Sequence, residues 1–259
     1  MCTLIIAWQV FEGTPILLGA NRDELYDRPS HPPRIIDRDP QVLAPIDDES
    51  GGTWIGYNEA GVVAAITNGW VDADLDDDRS RGLLVRDALE QQEATAACRT
   101  IERELDARSY NAFNLLVADE NSALLIEYDG HPSVSTLSPG VHVIMNAGYN
   151  TEYDILSARP EASRQQAENG RRLYEHLQPR PSESAQGWHE RAANALSDHE
   201  CGVCIHGDDF GTRSSSLIRV DNEEQRFSDQ YAFADGPPCR TDFEQIDEQL
   251  MGATRAGGR

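Results

Sequence analysis

Cysteine stands second in a chain that opens MCTLIIAWQV. A thiol in that place can be a small buried filler, a lipid attachment point, or a nucleophile exposed when Met1 is removed. Methionine aminopeptidase acts where the next residue is small, and Cys qualifies. The residue left behind would carry both a thiol and a free α-amine, with ordinary pKa values of about 8.5 and 7.7–8.0. The amine can take the thiol's proton, so a single residue supplies nucleophile and base. A lipid anchor would follow a signal segment, and the opening has neither a basic n-region nor a small-residue cleavage site.

Four further stretches hold residues able to serve such a nucleophile. GANRDEL (19–25) closes the second strand of a hairpin whose first strand begins at Cys2. The strand ends therefore lie side by side, and Arg22 and Asp23 can reach the N-terminus. Asp23 would orient an ammonium group, and Arg22 would favour thiolate; a polar strand end with a surface ion pair accounts for both equally. GGTWIGYNEAGVVAAITNGW (51–70) brings Asn68 to a strand end, and HVIMNAG does the same for Asn146. A side-chain amide so placed can donate to a developing oxyanion, although Asn-Gly is also a common turn pair. In FGTRSSSLIRV, Arg213 opens a strand, where it can bind a substrate carboxylate or serve a structural ion pair. Trp54, Tyr57 and Trp70 fit a pocket lining or sheet-to-helix packing alike.

The elements that must position these groups follow from periodicity. Residues 3–9 and 15–20 read as strands, and 53–67 as a hairpin turning at Asn58–Gly61. The Pro- and Asp-rich stretch 24–52 reads as an irregular excursion. Ser80 can cap an amphipathic helix over SRGLLVRDALEQQ, and a second helix fits 94–106. Strands follow at 113–118, 123–128, 133–137 and 141–146, helices at 161–177 and 187–197, and strands near 214–220 and 225–234. No repeat or linker interrupts this order, so one domain over 1–248 is expected, with 249–259, ending GATRAGGR, as a frayed tail. Blocks of antiparallel strands separated by helix pairs predict an α+β fold, two sheets packed together with helices outside.

Composition narrows the chemistry. The 259 residues carry 22 basic against 45 acidic groups, a formal charge of −23, and every basic residue is Arg. Acids spread along the whole chain match a halophilic cytoplasm, where molar salt shortens the Debye length to about 3 Å and screens self-repulsion. Such a surface has no basic stripe for phosphates, so no nucleic-acid partner is expected. Without lysine there is no Schiff base, no Ser–Lys dyad and no P-loop lysine. No apolar run approaches the roughly 20 residues of a bilayer span, so a cytoplasmic protein is expected, with its oligomeric state open. Five cysteines do not suggest a disulfide framework. In DHECGVCIH (198–206), His199, Cys201, Cys204 and His206 are metal-ligand types, but no second ligand pair is evident elsewhere. Packed thiols, and no metal or cofactor, are expected.

MCTLIIA, ANRDE (20–24), GGTWIGYNEAG…ITN, SRG (80–82) and GTRSSS (211–216) occur in that order. Together they resemble the NRDE-motif family, also called the transport-and-Golgi-organisation protein 2 family, over residues 1–220. More distantly the chain is similar to the choloylglycine hydrolase and penicillin V acylase group of N-terminal nucleophile hydrolases. The resemblance implies a four-layer αββα sandwich of two antiparallel sheets. It implies Cys2 as nucleophile, Asp23 as the residue holding its amine, Asn68 and Asn146 as oxyanion or positioning groups, and Arg213 as a distant Arg completing the site. The hydrolases carry an Arg before the Asn of the second-strand motif, where Ala20 stands here, so Arg22 either substitutes for it or faces away. Two functions fit. One is an N-terminal cysteine amidohydrolase or acyltransferase acting on a non-peptide amide or thioester of a small molecule, needing no cofactor. The other is a binding or trafficking protein holding haem or a lipid-like hydrophobic ligand on the same scaffold.

Overall fold

The apolar run after Cys2 and the one after Thr14 become the two central strands of a sheet, in a computed structural model describing residues 2–36, 39–73, 75–222 and 229–250. In chain order the first strands are β1 (Thr3–Phe11), β2 (Thr14–Leu25), β3 (Ser30–Ile36), β4 (Val42–Asp47), β5 (Ile55–Asn58) and β6 (Val63–Asn68). Helices α1 (Arg81–Leu89) and α2 (Ala94–Ala107) follow, then β7 (Phe113–Ala118), β8 (Ala123–Tyr128), β9 (Pro132–Thr136), β10 (Gly140–Met145), β11 (Gly148–Tyr149) and β12 (Glu152–Tyr153). The chain continues through α3 (Pro160–Leu177), α4 (Ala185–Ser197), β13 (Phe210–Val220), β14 (Gln230–Ala234) and β15 (Glu244–Gln245).

The strands form two antiparallel sheets, ordered β12-β11-β10-β1-β2-β13-β14-β15 and β3-β4-β5-β6-β7-β8-β9. Leu4, Ile6 and Ile16 of the first sheet meet Leu43, Ile55 and Leu116 of the second in a core between the sheets. The opposite face of the first sheet, through Ile5, Leu17 and Val143, is covered by Leu173, Trp188 and Leu196 of α3 and α4. The outer face of the second, through Ala64 and Leu115, is covered by Leu84, Leu89 and Ile101 of α1 and α2. The architecture is thus the αββα sandwich. Because β1 and β2 are covered on both faces, they read as continuous apolar runs instead of alternating ones. Burying each of these large side chains contributes about 1.5–3 kcal/mol.

The stretch 24–52, expected to be irregular, contains β3 and β4. Its prolines misdirect the reading. Pro32 and Pro33 lie in β3, an edge strand of its sheet, where the pairing with β4 shifts register between His31 and Arg34. An edge strand and a bulge are where a residue without an N–H is tolerated. The hairpin turn at Asn58–Gly61 is formed as expected: the Asn58 side chain accepts from the amides of Ala60 and Val62, and Gly61 takes φ +81°. Ser80 makes no side-chain cap on α1. Instead Asp119, from the β7–β8 turn, accepts the Ala94 amide at the start of α2. The expected strand over 225–234 is described only from 229, and all but the first residues of the expected tail, 251–259, lie outside the described residues. No helix among the described residues is long and apolar enough to cross a membrane.

Candidate active site

β1 begins, β2 ends, β10 ends and β13 begins at the same edge of the first sheet. The pairs Thr3↔Asn21 and Leu4↔Ile144 bring Cys2 alongside Arg22 on one side and Asn146 on the other. The Cys2 backbone nitrogen donates to Asn146 Oδ1 at 3.0 Å. That oxygen also accepts from Gln166 Nε2 at 2.9 Å, while Asn146 Nδ2 donates to the Asn68 carbonyl at 2.6 Å. Gln166 is buried on α3, and its own Oε1 accepts the Ala147 amide at 2.7 Å. With both of its amide atoms held, Asn146 has a fixed orientation, and its Oδ1 in turn anchors the Cys2 nitrogen. Asn68 touches this network through its backbone; it is exposed at the end of β6, on the cavity rim.

Side chains alternate along a strand, so Cys2, Leu4 and Ile6 share the inter-sheet face with Ala20 and Arg22. Arg22 therefore turns towards Cys2 and not away. It lies 4.2 Å over the Trp54 ring and donates through Nη2 to Asp47 at 3.0 Å. Asp47 is anchored in turn by Arg28 at 2.6 Å and by the Ser50 amide at 3.1 Å. Burial alone would raise the Asp47 pKa, but the Arg28 and Ser50 hydrogen bonds prevail and hold it below the ordinary value. Arg22 is 6 % exposed, and its Nη1 is buried with no hydrogen-bond partner among the described residues. Unsatisfied buried donors are rare. Cys2, Arg22, Asp23, Trp54 and Arg81 line a cavity of about 150 Å³.

Asp23 projects from the other face of β2, opposite Thr212 of β13, whose hydroxyl donates to it at 2.6 Å. The carboxyl is 3 % exposed, and burial pushes its pKa up to about 7 despite that hydrogen bond. The Cys2 sulfur lies 3.8 Å from the Asp23 carbonyl oxygen. Burial raises the Cys2 thiol above its ordinary value, further than nearby positive charge lowers it. With Met1 in place the thiol is therefore protonated at neutral pH.

Arg213 stands apart from this group. It occupies the register shift between Thr212 and Ser214 and pairs with Asp235 at 2.6 Å, away from the Cys2 cavity. Two residues that the sequence did not single out lie beside Cys2 and Asn146. Arg81 lines the cavity and donates to the Ala112 carbonyl at 2.8 Å. Gln166 belongs to a buried face of α3 that also carries Ser163, Asn169 and Gly170. Polar residues on the inward side of an amphipathic helix were the available signal.

The co-occurrence of GGTW and SRG has a steric cause. The Thr53 amide donates to the Gly82 carbonyl at 3.0 Å, and a Cβ on Gly52 would sit 2.5 Å from the Gly82 carbonyl carbon. Two backbones approach here as only glycine allows, holding Trp54 and Arg81 in one wall of the cavity. Gly52→Ala should destabilise by about 2 kcal/mol, lowering the thermal midpoint by about 4–8 °C in a chain of this size. An unchanged melting curve would disprove the close approach.

A larger groove of about 590 Å³ is lined by Asn146, which holds the Cys2 nitrogen, and by Trp70, Asp72, Glu127, Asp129 and Asp154. Burial, then the charges of Asp154, Glu152 and Asp129, raise the Glu127 pKa. Tyr57 lies in the inter-sheet core, away from both cavities.

The family model described as Transport and Golgi organisation 2 matches residues 1–230. The Transport and Golgi organization protein 2 homolog of Bos taurus is 31 % identical over 231 residues, covering 80 % of this chain and 82 % of the relative. The homolog of Homo sapiens is 28 % identical over 259 residues, covering 91 % and 88 %. Among solved structures, the Caenorhabditis elegans ortholog of N-acylethanolamine-hydrolyzing acid amidase superposes with a TM-score of 0.53 at 15 % identity, over 84 % of this chain and 92 % of that one. Penicillin V acylase from Agrobacterium tumefaciens gives 0.51 at 14 % identity, over 90 % and 83 %. These likenesses are of fold, and the fold is N-terminal nucleophile hydrolase-like.

Proposed function

The chain belongs to the Transport and Golgi organisation 2 family, and from that membership and the Cys2 cavity we propose that it is an N-terminal cysteine amidohydrolase or acyltransferase. Its substrate would be a non-peptide amide or a thioester of a small molecule. The observation that carries this reading is the buried Nη1 of Arg22, without a hydrogen-bond partner among the described residues, on the face it shares with Cys2. A cation held by Asp47 and Trp54, with a donor left over, is preorganised for an oxygen that becomes negative during reaction.

Removal of Met1 turns the Cys2 nitrogen into an amine without changing its anchor on Asn146. The amine takes the thiol proton as sulfur attacks the substrate carbonyl, and Arg22 Nη1 donates to the oxyanion. The resulting ammonium protonates the leaving amine or thiol as the C–N or C–S bond breaks. Water, or an acceptor amine in the transferase case, then attacks the acyl-thioester and regenerates the thiol. Asp23 steadies the positive charge on the amine from behind the strand.

A haem or lipid-like ligand fits less well. The Cys2 cavity is small and charged, and the larger groove faces a propionate or fatty carboxylate with Asp72, Glu127, Asp129 and Asp154. Intact mass before and after brief iodoacetamide, in molar salt beside Cys2→Ala, tests the proposal. The expected result is loss of Met1 and one rapid adduct that the variant lacks. Retention of Met1, or a Cys2 no faster than the other thiols, overturns it.

A further inference from the structure

We propose that His199, Cys204, His206 and Cys239 form a structural zinc site on the far side of β13 from the Cys2 cavity. The ligand atoms of these residues all lie within 4.8 Å of one another. His206 Nε2 is their focus, 3.3 Å from His199 Nε2, 3.2 Å from Cys239 Sγ and 3.7 Å from Cys204 Sγ. Around a tetrahedral ion with Zn–N of about 2.05 Å and Zn–S of about 2.3 Å, neighbouring ligands stand about 3.3 Å (N···N) and 3.5 Å (N···S) apart. The observed separations bracket those edges. Hydrogen bonding alone does not explain the convergence, because one ring nitrogen has at most one hydrogen for three neighbours.

The sequence reading set zinc aside because CxxC lacked a second ligand segment. Cys239 supplies that segment, and Cys201 is not a ligand. Cys201 is 5 % exposed in the core between α3, α4 and the first sheet, packed as expected; Cys204, 6 % exposed, is buried as well, but its sulfur lies 3.7 Å from His206 Nε2. Three backbone segments converge on the site, each fixed by its own turn. Gly202, at φ +67°, donates to the His199 carbonyl; His206 bridges to Gly211; and the amides of Arg240 and Thr241 donate to the Pro237 carbonyl. The ligands are therefore brought together by a preset backbone.

Binding displaces the two thiol protons to solvent and leaves a neutral Zn²⁺–dithiolate–diimidazole centre. The ion would tie the α4–β13 connection to the turn after β14. Between its ligands Cys204 and His206, the Ile205 amide donates to Thr212 Oγ1 at 2.9 Å, the same hydroxyl that donates to Asp23. The site thus braces the support of Asp23 from behind, whatever chemistry Cys2 performs.

The test uses the full chain without an affinity histidine tag, expressed with zinc and dialysed without chelator. Wild type and Cys201→Ser should hold about one zinc per chain, and Cys239→Ser and His206→Asn less than about a tenth of that. All four carry the same acidic surface, so adventitious zinc would not distinguish them. Cobalt substitution of wild type should give intense tetrahedral d–d bands with thiolate charge transfer, both lost in Cys239→Ser while its circular dichroism stays native. Substoichiometric zinc in wild type, a Cys204–Cys239 disulfide in freshly purified protein, or retention by Cys239→Ser with loss in Cys201→Ser would each overturn the proposal.

Discussion

Cys2→Ala is expected to lower kcat on N-acyl amides or acyl thioesters by at least about 10³-fold, with KM nearly unchanged. The effect is large because one atom carries the covalent step. Neither Arg22 nor Asn146 can attack a carbonyl, and both are already committed, one to Asp47 and Trp54, the other to the Cys2 nitrogen and Asn68. The variant leaves them in place, so substrate should still bind. Stability should change little. The side chain is half-buried, and its sole polar contact among the described residues is the 3.8 Å approach to the Asp23 carbonyl, so truncation should cost within about 1 kcal/mol. The assay belongs in molar salt, since a formal charge of −23 destabilises the compact state where it is unscreened. Turnover by the variant above about a tenth of wild type would place the nucleophile elsewhere and end the amidohydrolase reading.

What the sequence disclosed and what it hid follow one division. Groups near one another along a hairpin were legible: Cys2 with Arg22 and Asp23 follows from two strands and a short turn, since antiparallel pairing makes their ends neighbours. Groups that meet only through the stacking of sheets and helices were not. Gln166 reaches Asn146 from a helix twenty residues on, and Cys239 reaches His206 from a turn thirty-three residues on. No local period encodes either contact. Arg213 was open in another way: the start of a strand suits a substrate carboxylate or a structural ion pair alike, and only the structure shows it at a register shift, paired with Asp235. The resemblance supplied motifs such as SRG without reasons, and the Gly52–Gly82 contact supplies the reason.

Asp23→Asn should make the protein more stable at pH 8, by clearly less at pH 5 and not at all below about pH 4, while impairing the proposed activity. The ordinary pKa of this carboxyl is 3.8, and burial raises it in the folded chain to about 7. A group raised on folding contributes its full stability below the unfolded value and loses it as pH climbs through the folded one. Asp23 therefore favours folding in acid and opposes it progressively between about pH 4 and 7. The difference corresponds to on the order of 4 kcal/mol at most once the group is ionised. Asparagine removes the titration and still accepts the Thr212 hydroxyl, so the gain should appear as a rise of several degrees in the thermal midpoint at pH 8, shrinking to less than about half at pH 5 and vanishing only below about pH 4. Salt should not abolish it, because a carboxyl 3 % exposed is beyond ionic screening. If the variant is instead less stable at pH 8, by a margin that persists to pH 5 and narrows only below about pH 4, Asp23 is ionised and stabilised in the fold. Should the gain be found, a carboxylate that weakens its own fold at neutral pH is retained against stability. Within this site the steadying of a charged Cys2 amine is the task that needs it ionised, and an amide there could not perform it.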